Sequence, residues 1–64
     1  MAVTDEIVSK AGDITNYKDW RRRVAGMTYI GDRYVRGKAR RYYSDGNGRY
    51  YFRPITEAEM HRYK

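Results

Sequence analysis

Apolar and polar residues at the start of the chain recur at the spacing of short helices. Thr4 suits a helix N-cap and is followed by acidic residues, while Val3 and Val8 fit a hydrophobic staple around it. Gly12 is a typical end for such a segment. The pattern predicts a first helix of about two turns that buries one apolar side.

A second helix is predicted between Asp13, a suitable cap, and Gly26, a suitable stop. Its apolar stripe has spacings of three, three and four residues: Ile14, Tyr17, Trp20 and Val24. We interpret this stripe as core, because most amphipathic helices of small domains bury such a face. The three arginines that follow Trp20 suit the negative end of the helix.

From Met27 onwards the pattern changes to that of strands. Aromatic and β-branched residues dominate, and glycine-containing turns recur at short intervals. Turns are predicted at Gly31-Asp32, at Gly37-Lys38 and across 45–48, where Asn and Gly accept positive φ at low cost. The strands expected between them form a meander of four: 27–30, 33–36, 39–44 and 49–53.

These turn positions predict a register and therefore two sheet faces. The third turn places Ser44 opposite Arg49 and Tyr42 opposite Tyr51. One face is mostly apolar and is expected to meet the helices: Met27, Tyr29, Tyr34, Arg36, Ala39, Arg41, Tyr43, Tyr50 and Phe52. The other is expected to face solvent: Thr28, Ile30, Arg33, Val35, Arg40, Tyr42, Ser44, Arg49, Tyr51 and Arg53.

The C-terminal segment carries a clear helix start after Pro54, which ends the last strand. Thr56 and Glu59 form a capping box, and Ile55 and Met60 form its staple. A helix over 56–63 is expected to dock through Met60 and Tyr63. The fold predicted for residues 1–64 is one α+β domain. It has one or two short N-terminal helices, a three- to four-stranded antiparallel meander, and a short C-terminal helix packed on one sheet face.

Length and composition limit how such a domain is stabilised and where it works. The chain has 64 residues and no cysteine, so disulfides and thiolate metal clusters are excluded. A core this small is typical of proteins that gain stability from a partner, which leaves a homodimer open. The sequence shows neither a membrane span nor a secretory signal pattern, so we expect an intracellular, cytoplasmic protein.

Positive charge is concentrated in the middle of the chain. Residues 21–53 hold ten basic residues against two acidic ones, a net +8, while residues 1–20 carry −2 and residues 54–64 carry zero, summing to the chain's +6. Nine of those ten are arginine, whose planar fork suits phosphate and carboxylate and stacks on rings. Such a segment attracts polyanions or acidic protein surfaces.

The sequence offers little for catalysis. His61 is the single histidine and lies near the C-terminus, where we interpret it as a surface residue. The segment that begins at Asp45 opens like a calcium loop but has Tyr50 where that loop needs glycine, so we interpret it as a turn. We therefore expect no enzyme activity, no cofactor and no metal.

The remaining signal is a basic face rich in tyrosine. Rings that stack on bases between guanidinium groups that hold phosphates are typical of single-strand binders, so we expect a nucleic-acid-binding protein. The alternative is a small inhibitor or modulator, of the kind phages and mobile elements encode. It would dock on an acidic or nucleic-acid-binding surface of a host or anti-phage complex. The expected contact residues are Arg33, Arg40, Tyr42, Arg49, Tyr51 and Arg53 on the sheet, with Arg21, Arg22, Arg23 and Lys38.

Overall fold

The computed structural model describes residues 3–62, with side chains through Glu59, as three short helices and a four-stranded sheet. In chain order the elements are α1 (Asp5–Lys10), β1 (Gly12–Asp13), a 3₁₀ turn (Ile14–Asn16), α2 (Trp20–Ala25), β2 (Thr28–Val35), β3 (Lys38–Ser44), β4 (Tyr50–Pro54) and α3 (Glu57–Arg62). The predicted α+β class is confirmed, with helices before and after a meander. A parallel pair of strands adds to the antiparallel arrangement.

The sheet has the strand order β1-β4-β3-β2. β1 runs parallel to β4, with Gly12 opposite Tyr51, and the other pairs are antiparallel. The hairpin predicted at Gly31-Asp32 is wrong, because the strands on either side of it are one strand, β2. Gly31 lies instead at a bulge in β2, with φ of 139° and an ideal Cβ position only 3.3 Å from Val3 Cγ2.

The β2–β3 turn is shifted by one residue from the predicted position. Arg36 and Gly37 form it, both with positive φ (54° and 77°), so Val35 lies opposite Lys38. Two left-handed residues in succession are the geometry of a type I′ turn, which follows the twist of the paired strands. The prediction had assigned Arg36 to the strand and Lys38 to the turn.

The β3–β4 loop is also one residue away from the prediction. Asp45 N donates to Arg49 O, so three residues rather than four lie inside the closing pair. The Asp45 carboxylate accepts from the amides of Asn47 (2.8 Å) and Arg49 (3.1 Å), and this side-chain turn fixes the geometry. Ser44 is therefore opposite Tyr50 rather than Arg49, which turns β3 over relative to β4. The faces predicted for β4 are correct, and those predicted for β2 and β3 are exchanged.

Helix α1 forms as predicted and covers one face of the sheet, here called the core face. Thr4 Oγ1 accepts from Ile7 N, which caps the helix. Ile7 packs with Ile30 and Tyr42 in the buried core. Around them lie the half-buried apolar side chains of Val3, Val8, Ala11, Val35, Tyr50 and Phe52. The main hydrophobic core is thus between α1 and the strands.

The second predicted helix is divided in two. Asp13 caps only the 3₁₀ turn, by accepting from Thr15 N, and Tyr17 is already extended. Ile14 is fully buried and Trp20 and Val24 are half-buried, whereas Tyr17 is 40% exposed. The predicted core stripe is therefore wrong at Tyr17, which lies between the two helical segments.

Helix α3 begins where the capping box predicts, with Glu59 N donating to Thr56 Oγ1 at 3.2 Å. Its described contacts with the sheet are polar: Glu59 pairs with Arg53 at 3.0 Å. The predicted docking through Met60 and Tyr63 lies outside the described side chains. Across residues 3–62, no helix is long and apolar enough to cross a membrane.

Candidate nucleic-acid interface

The register places three tyrosines side by side on the sheet face opposite α1. Tyr29 is opposite Tyr43, and Tyr43 is opposite Tyr51, so the three side chains leave the sheet on the same side. The ring of Tyr17, just before α2, meets Tyr51 edge-on at 6.3 Å. We call these four residues the tyrosine row, since they run across the sheet from β2 to the segment before α2.

The row has buried rings in the middle and exposed rings at its ends. Tyr43 is buried and Tyr51 half-buried, whereas Tyr17 is 40% exposed and Tyr29 45% exposed. Tyr29 packs edge-on against Tyr43 at 6.3 Å, and the Arg23 guanidinium lies 4.3 Å from the Tyr17 ring centre. The outer rings are thus held in place by neighbours while keeping surface for a ligand.

The next position along each strand gives a second row of charged residues. Asp32 is opposite Arg41, and Arg41 is opposite Arg53; these three form the arginine row. Arg41 is buried, donates to Asp32 at 3.1 Å and lies 5.6 Å from the Tyr29 ring centre. The two rows together are here called the tyrosine face.

Glu59 of α3 completes the charge balance of the arginine row. Its carboxylate accepts from Arg53 Nη2 at 3.0 Å and lies 3.8 Å from Arg41 Nη1. Arg53 Nε also donates to the Tyr43 hydroxyl at 3.3 Å, which joins the two rows. Two guanidinium groups therefore stand beside two carboxylates, and the centre of the face carries little net charge.

Proton affinities follow from these pairings. Burial alone would lower the pKa of Arg41, but the hydrogen bond and charge of Asp32 raise it above its ordinary value. The hydrogen bond from Arg53 holds the pKa of Glu59 below its ordinary value. Burial, followed by the hydrogen bond to Asp32, raises the pKa of Tyr29. All these groups keep their usual charge at neutral pH.

Cations and a cleft lie around the tyrosine face. Arg21 stacks on Trp20 at 4.9 Å, and the Arg53 guanidinium is 6.0 Å from the same ring. Beside Tyr51 is an open cleft of about 310 Å³ lined by Lys10, Gly12, Gly48, Arg49, Tyr50 and Tyr51. Lys10 and Arg49 give this cleft positive charge where β4 meets the β3–β4 loop.

The ten predicted contact residues are divided between both faces and the loops. Five are exposed: Arg21, Arg22, Arg23, Lys38 and Arg49. Four are half-buried: Arg33, Arg40, Tyr51 and Arg53. Of the set, Tyr51 and Arg53 belong to the tyrosine face, and the arginines of α2 lie beside it.

Other predicted contacts are on the core face. Tyr42 is fully buried beneath α1 and is opposite Phe52, not Tyr51, so its ring has no surface for a base. Arg33 is opposite Arg40 and pairs with Asp5, while Arg40 covers the Phe52 ring at 4.1 Å. These arginines shield the edge of the core.

The prediction missed five residues of the tyrosine face: Tyr17, Tyr29, Asp32, Arg41 and Tyr43. The signal that could have found three of them is Asp45 at the start of a glycine-rich loop. An aspartate there accepts from the loop amides and favours the tighter closing pair, which turns β2 and β3 over relative to β4. Tyr17 carries no comparable signal, because its contact with Tyr51 depends on the parallel pairing of β1.

The tyrosine face combines exposed rings with paired guanidinium groups, which are capable of stacking and of ion pairing. Within the described part of the chain, no three acidic or histidine side chains come together as metal ligands. Comparison of the chain with protein-family models, with curated proteins and with solved structures found no match.

Proposed function

We propose that this protein is a non-enzymatic nucleic-acid-binding protein that holds a single strand on the tyrosine face. The observation that carries the proposal is the tyrosine row, with Tyr17 and Tyr29 exposed at its ends and anchored by Tyr51 and Tyr43. Each base stacked on such a ring contributes about 1–3 kcal/mol and needs no sequence-specific contact. Arginines beside the rings would hold the phosphates.

Electrostatics support the same function. The chain carries +6, and the exposed cations Arg21, Arg22 and Arg49 lie along the helix and loop that border the face. Binding through such contacts releases counterions, so the affinity falls as salt rises.

A second candidate is a small inhibitor or modulator that docks on a protein surface. The neutralised arginine row favours it, since Arg41 and Arg53 already pair with Asp32 and Glu59. A face with exposed tyrosines and little net charge at its centre resembles the anchor region of a protein interface.

The deciding experiment is fluorescence anisotropy with labelled single-stranded DNA and RNA across a salt series. Tyr17→Ala and Tyr29→Ala should each weaken binding about tenfold, whereas Tyr17→Phe and Tyr29→Phe should keep it, because phenylalanine retains the stacking surface. Arg36→Ala removes an exposed cation at the β2–β3 turn and shows how much of the affinity depends on net charge alone. Equal affinity of the alanine variants and the wild type would contradict the proposal.

The same proteins separate the two candidates. If the wild-type protein has no salt-dependent affinity for single-stranded DNA or RNA, and a pull-down from cell lysate still retains one cellular protein after nuclease treatment, the inhibitor function is favoured. Partners that are all lost after nuclease favour nucleic-acid binding.

A further inference from the structure

The arginine row has the geometry of an occupied anion site. Arg41 and Arg53 are directly opposite on neighbouring strands, a position in which like charges destabilise the pair unless an anion lies between them. The Glu59 carboxylate fills that position, 3.0 Å from Arg53 and 3.8 Å from Arg41.

Each of the two guanidinium groups has a partner on the sheet besides Glu59. Asp32 accepts from Arg41 Nε, and the Tyr43 hydroxyl accepts from Arg53 Nε. Arg41 Nη2 also donates to the backbone carbonyl of Glu59 at 3.4 Å, a contact that does not use the Glu59 carboxylate. The two Nε bonds to the sheet hold the guanidinium groups in place when the carboxylate leaves. Two preoriented guanidinium groups and a hydroxyl are a typical arrangement for a phosphate.

The described side chains of α3 contact the sheet through polar groups. Glu57 is exposed and accepts from the Tyr34 hydroxyl at 3.4 Å, while Glu59 is partly exposed and its backbone carbonyl accepts from Arg41 Nη2 at 3.4 Å. The Glu59 side chain is 36% exposed, so water and salt reach its carboxylate and screen its ion pairs. A competing anion could therefore displace the helix without disturbing the core under α1.

We propose that Arg41, Arg53 and Tyr43 form a phosphate site that Glu59 occupies, so that α3 is an autoinhibitory latch on the tyrosine face. The ligand is a phosphate group of a nucleic-acid strand, and in this the inference rests on the proposed function. When such a strand binds, its phosphate takes the place of the carboxylate, and the released helix uncovers the arginine row next to the stacking rings.

Two matched variants test the latch in the full-length chain. Glu59→Gln should bind labelled single-stranded DNA about fivefold more tightly than wild type, because the competing ion pair is lost. Its salt dependence should steepen by about one phosphate contact. Glu57→Gln changes the net charge equally but leaves the Arg53 pair intact, so its affinity should rise less than about twofold. Equal gains from the two variants would overturn the latch.

A third variant loosens α3 without changing charge. Thr56→Ala removes the hydroxyl that caps the helix, so it should also tighten binding. An affinity unchanged from wild type would count against a latch that opens by release of α3.

Inorganic phosphate separates failure of the site from failure of the proposed function. In Glu59→Gln, added phosphate should shift the Nε–Hε NMR resonance of Arg53, while in wild type that resonance should stay in place. If the Arg53 resonance does not shift on adding phosphate to the variant, the proposed phosphate site is wrong. If phosphate shifts it but no variant binds DNA or RNA, the anion site stands and the nucleic-acid function fails.

Discussion

At the scale of single residues, Tyr42 is the larger of the two fully buried side chains described. Its hydroxyl has no hydrogen-bond partner among the described residues. A buried polar group without a partner costs stability, whereas the ring beside it packs against Phe52 at 5.7 Å. The side chain thus stabilises the core through its ring alone.

We predict that Tyr42→Phe raises the free energy of unfolding by about 1 kcal/mol, because it removes the unpaired hydroxyl and keeps the packing. Tyr42→Ala should lower it by about 3–5 kcal/mol through the cavity it leaves. Urea unfolding of both variants measures the two changes. A Tyr42→Ala protein as stable as wild type would show that the ring is outside the core.

Arg36 gives a second prediction at this scale. Its φ of 54° is unfavourable for a side chain with a Cβ, and Asn tolerates this conformation better at the first position of a type I′ turn. Arg36→Asn should therefore stabilise the protein by about 0.5–1 kcal/mol. Arg36→Ala removes the same charge but keeps the strain, so its thermal midpoint should not rise. Equal midpoints for the two variants would contradict this explanation.

At the scale of elements, local signals predicted where helices begin, and longer-range geometry decided the rest. Thr4 and Thr56 cap α1 and α3 as expected, since a cap depends only on residues in the adjacent turn. Both hairpins were predicted, but the one-residue error at the β3–β4 loop exchanged the faces of β2 and β3, which placed Tyr42 outside and Tyr43 inside. The error at the β2–β3 turn changed the pairing partners but not the faces. The parallel strand β1 could not be predicted, because two residues carry no periodic pattern.

Helix α3 should respond to acid. Arg53 holds the pKa of Glu59 below its ordinary 4.5, so this pairing stabilises the docked helix above that pH and is lost as the pH falls through the lowered value. Amide exchange in residues 57–60 should therefore increase as the pH falls below 4.5, after correction for the intrinsic pH dependence of exchange. Glu59→Gln provides the control, since its α3 should lack this acid response. An identical pH profile in the variant would assign the response to other carboxylates.

At the scale of the whole molecule, the two sheet faces differ in composition. The core face holds the apolar side chains under α1, and the tyrosine face holds rings and charge pairs beside α2 and α3. Trp20 is half-buried on the side of the tyrosine face, with Arg21 and Arg53 against its ring. If the proposed function is correct, substitutions on the two faces should affect stability and binding separately.

That division predicts opposite outcomes for two substitutions. Ile7→Ala should destabilise the domain by about 2–5 kcal/mol, because Ile7 joins α1 to the sheet. Trp20→Ala should cost less stability and weaken binding of single-stranded DNA more. Melting curves and anisotropy on both variants decide the matter. If Trp20→Ala lowers the melting temperature as much as Ile7→Ala, the indole contributes to the core and the prediction is wrong.

The parallel pairing of β1 with β4 has a consequence for the order of folding. The meander of β2, β3 and β4 contains only neighbours in sequence, whereas Gly12 reaches Tyr51 across most of the chain. Closing that long loop costs chain entropy before its contacts form, so the hairpins should assemble first and the N-terminal segment should dock last. Substituting Asp45, which shapes the β3–β4 loop, should then slow refolding, while substituting Ile7 should mainly speed unfolding.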